Sequence, residues 1–199
     1  LIEEQRTNLL TNSEELDNSV WANVTFGSTV TVDSNVIASP NGTITADKLN
    51  FPGRRSQNYG NVSGTHTISA YVKKGDMSSI TLYLDIINVP YPRVNYNFDT
   101  DTVSGTNVTE ATRTLLSNGW VRISCTATLG GFTKHASFSS STTGYTYVWG
   151  VQVEEGEFPT SYIPTSGSTK TRNADNVTMT GTNFSDWYNQ DDGTVYVSQ

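Results

Sequence analysis

Residues 147–175 read YVWGVQVEEGEFPTSYIPTSGSTKTRNAD, and this stretch decides the fold class. Over 147–154, Tyr147, Trp149, Val151 and Val153 alternate with Gln152 and Glu154, a period of two that marks a β-strand with one face buried. Glu155-Gly156 is a turn signal. The chain beyond it stays extended, without helical spacing.

The same alternation recurs upstream. Over 66–74, Ile68, Ala70 and Val72 fall on one face, and Ser69, Tyr71 and Lys73 on the other. Over 80–86 the aliphatic residues Ile80, Leu82, Leu84 and Ile86 face inward, with Thr81, Tyr83 and Asp85 outward. Lys74-Gly75-Asp76 reads as the turn of a hairpin between these two strands. Residues 93–99 alternate Val94, Tyr96 and Phe98 with Asn95 and Asn97, and 120–129 set Val121, Ile123, Cys125, Ala127 and Leu129 against Trp120, Arg122, Ser124 and Thr126. Turn signals at this spacing suit a β-sandwich. The best helical signal is a single turn over 13–18, capped from Thr11, Asn12 or Ser13.

Composition narrows the function. The chain has 199 residues, 16% charged and 11% aromatic, with a formal net charge of -7. Nucleic-acid binding is excluded as an expectation, because affinity for phosphate backbones comes from clustered Lys and Arg. No apolar run approaches the roughly 18 residues of a spanning helix, so no membrane insertion is expected. No basic leader with an apolar core stands at the start, and the opening at Leu1 without Met reads as a piece of a longer protein. The lone Cys125 lies on an aliphatic strand face, where a thiol behaves as a small buried hydrophobe. N-x-[ST] triplets at Asn23, Asn41, Asn61, Asn107, Asn176 and Asn183 reflect an Asn-, Thr- and Ser-rich chain.

The motif residues Trp149, Gly150, Gln152, Glu154 and Gly156, followed by 160–165 and by Thr171, Arg172, Ala174 and Asp175, spell W-G-x-Q-x-E-x-G, T-S-Y-I-P-T and T-R-x-A-D. This phrase resembles a segment common in bacteriophage virion and tail-appendage proteins. Asn8-Leu9-Leu10-Thr11-Asn12-Ser13-Glu14, Trp21, Pro40-Asn41-Gly42, Ala46-Asp47-Lys48-Leu49 and Asn118-Gly119-Trp120-Val121-Arg122 are similar to the opening and central strands of the same family. The resemblance implies an all-β jelly-roll β-sandwich resembling a carbohydrate-binding module over residues 1–165. It further implies that 166–199 hold a linker, at 165–169, and the first strands of a following concanavalin/laminin-G-like domain or an assembly segment. Strands are expected near 176–180 and 194–198, with Trp187 and Tyr188 between them; folding of this tail back onto the first domain is the alternative. The implied function is a non-enzymatic virion or tail-appendage module that binds surface glycans, with other virion proteins as partners and a homotrimeric state.

Sugar recognition needs aromatic rings for stacking and planar polar groups for paired hydroxyls. The outward positions Tyr71, Lys73, Tyr83, Asp85, Asn95, Asn97, Arg122 and Gln152 supply both and, with neighbouring strands, are expected on one sheet surface. Against this stands a plain solvated face using Tyr for β-propensity. Trp120 reads equally as a plug over the core edge. Residues 51–60 read as a loop in which Arg54, Arg55, Gln57 and Tyr59 offer forked donors beside a ring, a pattern that would attract a uronate or sialate carboxylate. Tyr91, between Pro90 and Pro92, reads as a rigid tip. No cofactor is required by any motif. A structural calcium is the ion the acids suit, with Glu14, Glu15, Asp47 and Glu154 as its oxygens; a transition-metal site finds no support in His66 and His135, both isolated. Catalysis finds little support: no G-x-S-x-G elbow is present, and His135 stands in a probable-loop composition, 130–135, without a partner. A polysaccharide lyase built on Arg122, Gln152, His66 and Tyr83 is the enzymatic alternative, weakened because His66 alternates with Ile68 and so points inward. A purely structural spacer, decoration or trimerising segment is the other alternative.

Overall fold

The computed structural model describes residues 2–24, 28–86 and 91–177. Pro90, Asn183, Trp187, Tyr188 and the strand expected at 194–198 lie outside the described residues, as does most of the one expected at 176–180.

The described residues form an all-β sandwich of antiparallel strands: β1 (Arg6–Asn8), β2 (Trp21–Asn23), β3 (Thr31–Ala38), β4 (Ile44–Lys74), β5 (Ser79–Tyr83), β6 (Arg93–Asn97), β7 (Thr102–Thr106), β8 (Glu110–Leu115), β9 (Trp120–Glu155) and β10 (Lys170–Arg172). Two of them, β4 and β9, are long and run from one layer to the other and back. Their register shows it. Residues 47–51 pair with 144–148, 53–62 with 132–140, and 66–73 are flanked on both sides, by 120–127 and by 147–155. The first layer therefore runs β3, 44–51, 144–155, 64–74, 120–129, β8. The second runs β2, 53–62, 132–140, β5, β6, β7. Strands that change layers need sharp corners, made by bulges and glycines. Gly144, opposite Phe51, is one such corner: its φ is +148°, and a Cβ there would stand 2.7 Å from Met77 Cγ and 2.8 Å from Asp76 Oδ1.

Between the layers lies one apolar core. Leu49, Ile68, Ala70, Val72, Ile123, Cys125, Val148, Val151 and Val153 face Ile80, Leu82, Leu84, Val94, Ala136 and Phe138, all buried. Each buried aliphatic or phenyl side chain contributes about 1.5–3 kcal/mol, which is why the period-two pattern dictates the fold. Burial pushes the Cys125 thiol well up, in keeping with a packing role.

Several expectations need correction. Residues 74–76 turn the chain but make no hairpin, since β5 pairs with β6 and with 137–139 while 64–74 stays in the opposite layer. Residues 51–60 and 130–135 are strand, not loop. Residues 13–18 make turns, with Asn18 N–H donating to Glu15 O and Trp21 N–H to Asn18 O, and no helix. Trp120 is the plug, 2% exposed, its Nε1 donating to Ala38 O at 3.1 Å.

The stretch after 165 stays on the sandwich as far as Asp175. β10 pairs antiparallel with β1, Arg6 opposite Arg172 and Asn8 opposite Lys170. Asp175 exchanges two hydrogen bonds with the Glu3 backbone, each 2.9 Å.

Candidate functional site

The residues of the most distinctive motif hold the two ends of the described chain together. Gln152 and Glu154 do point away from the core, as alternation requires, yet both are fully buried because 157–165 folds across them. Gln152 Oε1 accepts from Ile163 N–H at 2.7 Å and its Nε2 donates to Glu154 Oε1 at 2.6 Å. Glu154 also accepts from Thr160 N–H (2.9 Å) and Thr160 Oγ1 (2.7 Å). Asn8 completes the clasp from the other end. Its Nδ2 donates to Val151 O and Ile163 O, and its Oδ1 accepts from Leu10 and Val153 N–H. Ser13 Oγ accepts from Thr165 N–H at 2.8 Å and shares a 2.6 Å hydrogen bond with Tyr162 Oη. Gln152 is thereby removed from the ligand candidates.

Beside the clasp, the outer side of the first layer carries an aromatic group. Trp149 packs in a tilted arrangement against Tyr162 at 4.6 Å and Tyr71 at 5.2 Å between centroids. Arg122 lies over Tyr71 (5.3 Å) and donates to Ser69 Oγ at 2.9 Å. Lys73 donates to Asn118 O at 2.6 Å. Tyr71, Trp149 and Tyr162 are thus packed against one another, with Trp120 in the same small apolar cluster.

The single expected surface is split. Tyr71, Lys73 and Arg122 sit on the first layer, while Tyr83 and Asn95 sit on the second, because 74–76 carries the chain across the sandwich; Arg54 of the separate 51–60 group joins the second. Two candidates are interior, and a third is half-buried and tied to the backbone. Asp85 follows the end of β5, where alternation lapses, and is buried against Lys134 with Nζ 3.0 Å from Oδ2. Tyr59 lies in the core and donates its hydroxyl to Leu84 O at 2.6 Å. Arg55 faces opposite to its neighbour Arg54 and donates to Leu16 O and Asn18 O.

What remains on the outer side of the second layer is a largely half-buried polar lattice, with Ser56 and Ser137 buried within it. Directly paired residues share a face, and two rows cross the sheet: Arg54, Ser139, Thr81, Asn95, Ser104, and next to it Ser56, Ser137, Tyr83, Arg93, Thr106. Asn95 Nδ2 donates to Thr81 Oγ1 at 2.9 Å. The guanidinium carbons of Arg54 and Arg93 lie 5.0 and 5.6 Å from the centroid of the Tyr83 ring. With Ile86 and Tyr91 these side chains line a cleft of about 420 Å³. Arg93 was missed as a site residue, although its spacing from Asn95 and Asn97 already set it on their face. His135, opposite Asn58 on this layer, has its pKa lowered by burial, with Asp85 acting against the shift.

The four carboxylates considered for calcium do not converge. Asp47 accepts backbone N–H from Leu16 (2.8 Å) and Asn35 (3.0 Å). Glu15 accepts from Asn12 Nδ2 and Ser166 Oγ, and Glu14 from Tyr162 Oη. Glu154 is enclosed in the clasp. No group of three or more His, Cys, Asp or Glu able to hold an ion occurs among the described residues.

No family profile matches the chain, and no curated protein matches it. Among solved structures, it is similar to the enzymatically active domain of bacteriophage CBA120 tailspike protein 4, at 14% identity and a TM-score of 0.45 over 73% of this chain and 21% of that one. It is similar to the Clostridium thermocellum xylanase fragment that joins a family-22 carbohydrate-binding module to its catalytic module, at 15% identity and a TM-score of 0.45 over 74% of this chain and 28% of that one. It is also similar to the xylan-binding domain of a Paenibacillus barcinonensis xylanase, at 12% identity and a TM-score of 0.42, over 77% of this chain and 94% of that domain. The chain thus spans about a fifth of the first and just over a quarter of the second.

Proposed function

We propose that the chain is a non-enzymatic glycan-binding module whose ligand lies on the outer face of the second layer. The observation that carries this reading is the polar lattice centred on Tyr83 and Asn95, which sets hydroxyls, an amide, aromatic rings and guanidinium groups on one pleated surface. Such a surface offers paired hydrogen bonds to sugar hydroxyls and rings for their apolar faces. The buried, mutually bonded state of Gln152 and the interior position of His66 speak against the lyase constellation. The likeness of 8–49 and 147–175 to phage appendage segments supports a place in a virion or tail appendage, with other virion proteins, and a trimer, as the setting.

A full-chain glycan array tests it. Specific binding that is lost in Tyr83→Ala and Asn95→Ala, at unchanged melting temperature, and kept in Arg122→Ala on the opposite layer, is the expected result. A second reading, a purely structural module, is favoured by one observation: the motif residues serve the clasp rather than an open surface. A blank array, with and without calcium, selects that reading.

A further inference from the structure

Resting on the glycan-binding reading and narrowing it, we propose that the Tyr83 cleft selects acidic sugars and holds a pyranose carboxylate, of the hexuronate or sialate kind, on the guanidinium groups of Arg54 and Arg93.

The argument starts from charge. The chain carries a formal net charge of -7, yet the two rows of the second layer around Tyr83 contain Arg54 and Arg93 and no Asp or Glu. The acid nearest in sequence, Asp85, is turned inside against Lys134. Arg93 pairs with no carboxylate among the described residues; its Nη1 donates to Tyr91 O at 3.3 Å. Both guanidinium groups line the same cleft beside one neutral ring, and an anion seated there gains from both charges. Guanidinium groups present flat forks of N–H donors that match a carboxylate with two parallel hydrogen bonds. A neutral sugar has no use for a doubled positive charge.

Geometry agrees. The Tyr83 ring is occupied by the two cations and positions them. Tyr91, 37% exposed at the rim of the same cleft, is the ring left open for a sugar face. A volume of about 420 Å³ lies within the range of small-ligand sites, roughly 300–1,000 Å³. Register assembles this pair: Arg54 comes from the middle of β4 and Arg93 from the start of β6, joined through the row partners on 132–140 and β5, whereas the sequence neighbours Arg54 and Arg55 face opposite ways.

The test is calorimetry on the full chain with trigalacturonate and with sialyllactose, each against its methyl ester, and with xylotriose as neutral control. The ester keeps the sugar skeleton and removes the charge. Binding of one acidic probe, weakened about 10- to 100-fold by esterification, is expected, since hydrogen bonds to charged groups sit at that level. Which acid binds distinguishes the two sources. Arg93→Gln and Arg54→Gln should lower acid affinity by a similar factor, and rising salt should weaken it. Arg93→Lys, which keeps the charge and loses the fork, should fall between, and it serves as the readout where a Gln variant melts early. Equal binding of acid and ester, or a preference for xylotriose indifferent to Arg93, overturns the inference and leaves glycan binding standing. Binding of a sulfated oligosaccharide alone overturns the carboxylate assignment. Silence toward every glycan overturns both.

Discussion

Asp47 shows how a single side chain acquires an unusual chemistry from its place. The residue is 1% exposed, on the 44–51 stretch of β4 beside β3, and both carboxyl oxygens accept backbone N–H groups. Burial raises its pKa from 3.8 to about 6; the Asn35 and Leu16 hydrogen bonds oppose the rise, and Asp17 and Glu15 add to it. The native state therefore keeps a proton that the unfolded chain has already released between these two values. By linkage, the stability owed to this site is whole below pH 3.8 and declines as pH rises to about 6. A carboxyl carbon resonance titrating with a midpoint near 6 is expected, together with a wild-type advantage over Asp47→Asn that shrinks across that window; a midpoint at or below 4 would remove the basis of the claim. Glu3 runs the other way. Burial pushes it up, but the Ser161 hydrogen bonds and Arg172 outweigh burial and hold it below 4.5, so its contribution is present above that value and fades on acidification. Gly150 is a steric case. Its φ is +60°, and a Cβ would lie 3.0 Å from Tyr71 Cδ2 and 3.3 Å from Tyr162 Cε2. Gly150→Ala should cost about 1–3 kcal/mol and lower the melting temperature by several degrees, visible in thermal unfolding by circular dichroism.

At the scale of elements, β4 and β9 govern both the fold and what could be read of it. Alternation located strands within 66–74, 80–86, 93–99, 120–129 and 147–154 because one buried face imprints a period of two on side-chain choice. But β5 ends at Tyr83 and β6 at Asn97, and at Gly150 the phase slips, so that Val148, Val151 and Val153 are core while Tyr147 and Trp149 lie on the outer side. Alternation did not identify 51–60 or 130–135, where glycine and polar residues read as loop; there the strands bend between layers, and backbone pairing leaves no mark on composition. Alternation also gives the side of a strand without saying what covers it, hence Gln152 and Glu154 on the right side and yet buried under 157–165. The site was half legible for the same reason. Tyr83 and Asn95 were correctly outward, while Arg54 was read within a loop, and which outward residues share a layer depends on the crossover at 74–76, which no local spacing reports. Asp85 escaped because alternation holds only while the strand does. It now forms a buried pair with Lys134, both at most 2% exposed. Lys134→Met alone removes the counter-charge of a buried carboxylate and should cost about 3–5 kcal/mol, whereas adding Asp85→Leu should restore most of the loss. Chemical denaturation of the single and double variants decides it, and equal stabilities for both would show that the pair is wet.

Over the whole molecule, the clasp makes the two ends of the described chain a single cooperative unit. Asn8 lies between residues 151–153 of β9 and the strap at Ile163, fully buried, with hydrogen bonds to Val151, Ile163, Leu10 and Val153. β1 pairs with β10, and Glu3 binds Arg172 and Ser161. These polar contacts lie outside the interlayer core, which draws on β2, β4, β5, β6 and β9 and meets the clasp at Leu10, Val151 and Val153. The molecule should thus open in two stages, the ends first and the sandwich later, as cooperative subunits of unequal stability do. Asn8→Ala is the sharpest probe, because it strands carbonyls on both the strand and the strap at about 1–3 kcal/mol for each buried group left unpaired. Native-state amide exchange should show Leu10, Ile163 and Thr165 losing protection together in this variant, while Ile123 and Val148 in the core keep theirs. Uniform loss across clasp and core would instead mean that the ends and the sandwich unfold as one, and an unchanged strap would mean that Asn8 holds nothing that Gln152 and Glu154 do not already hold.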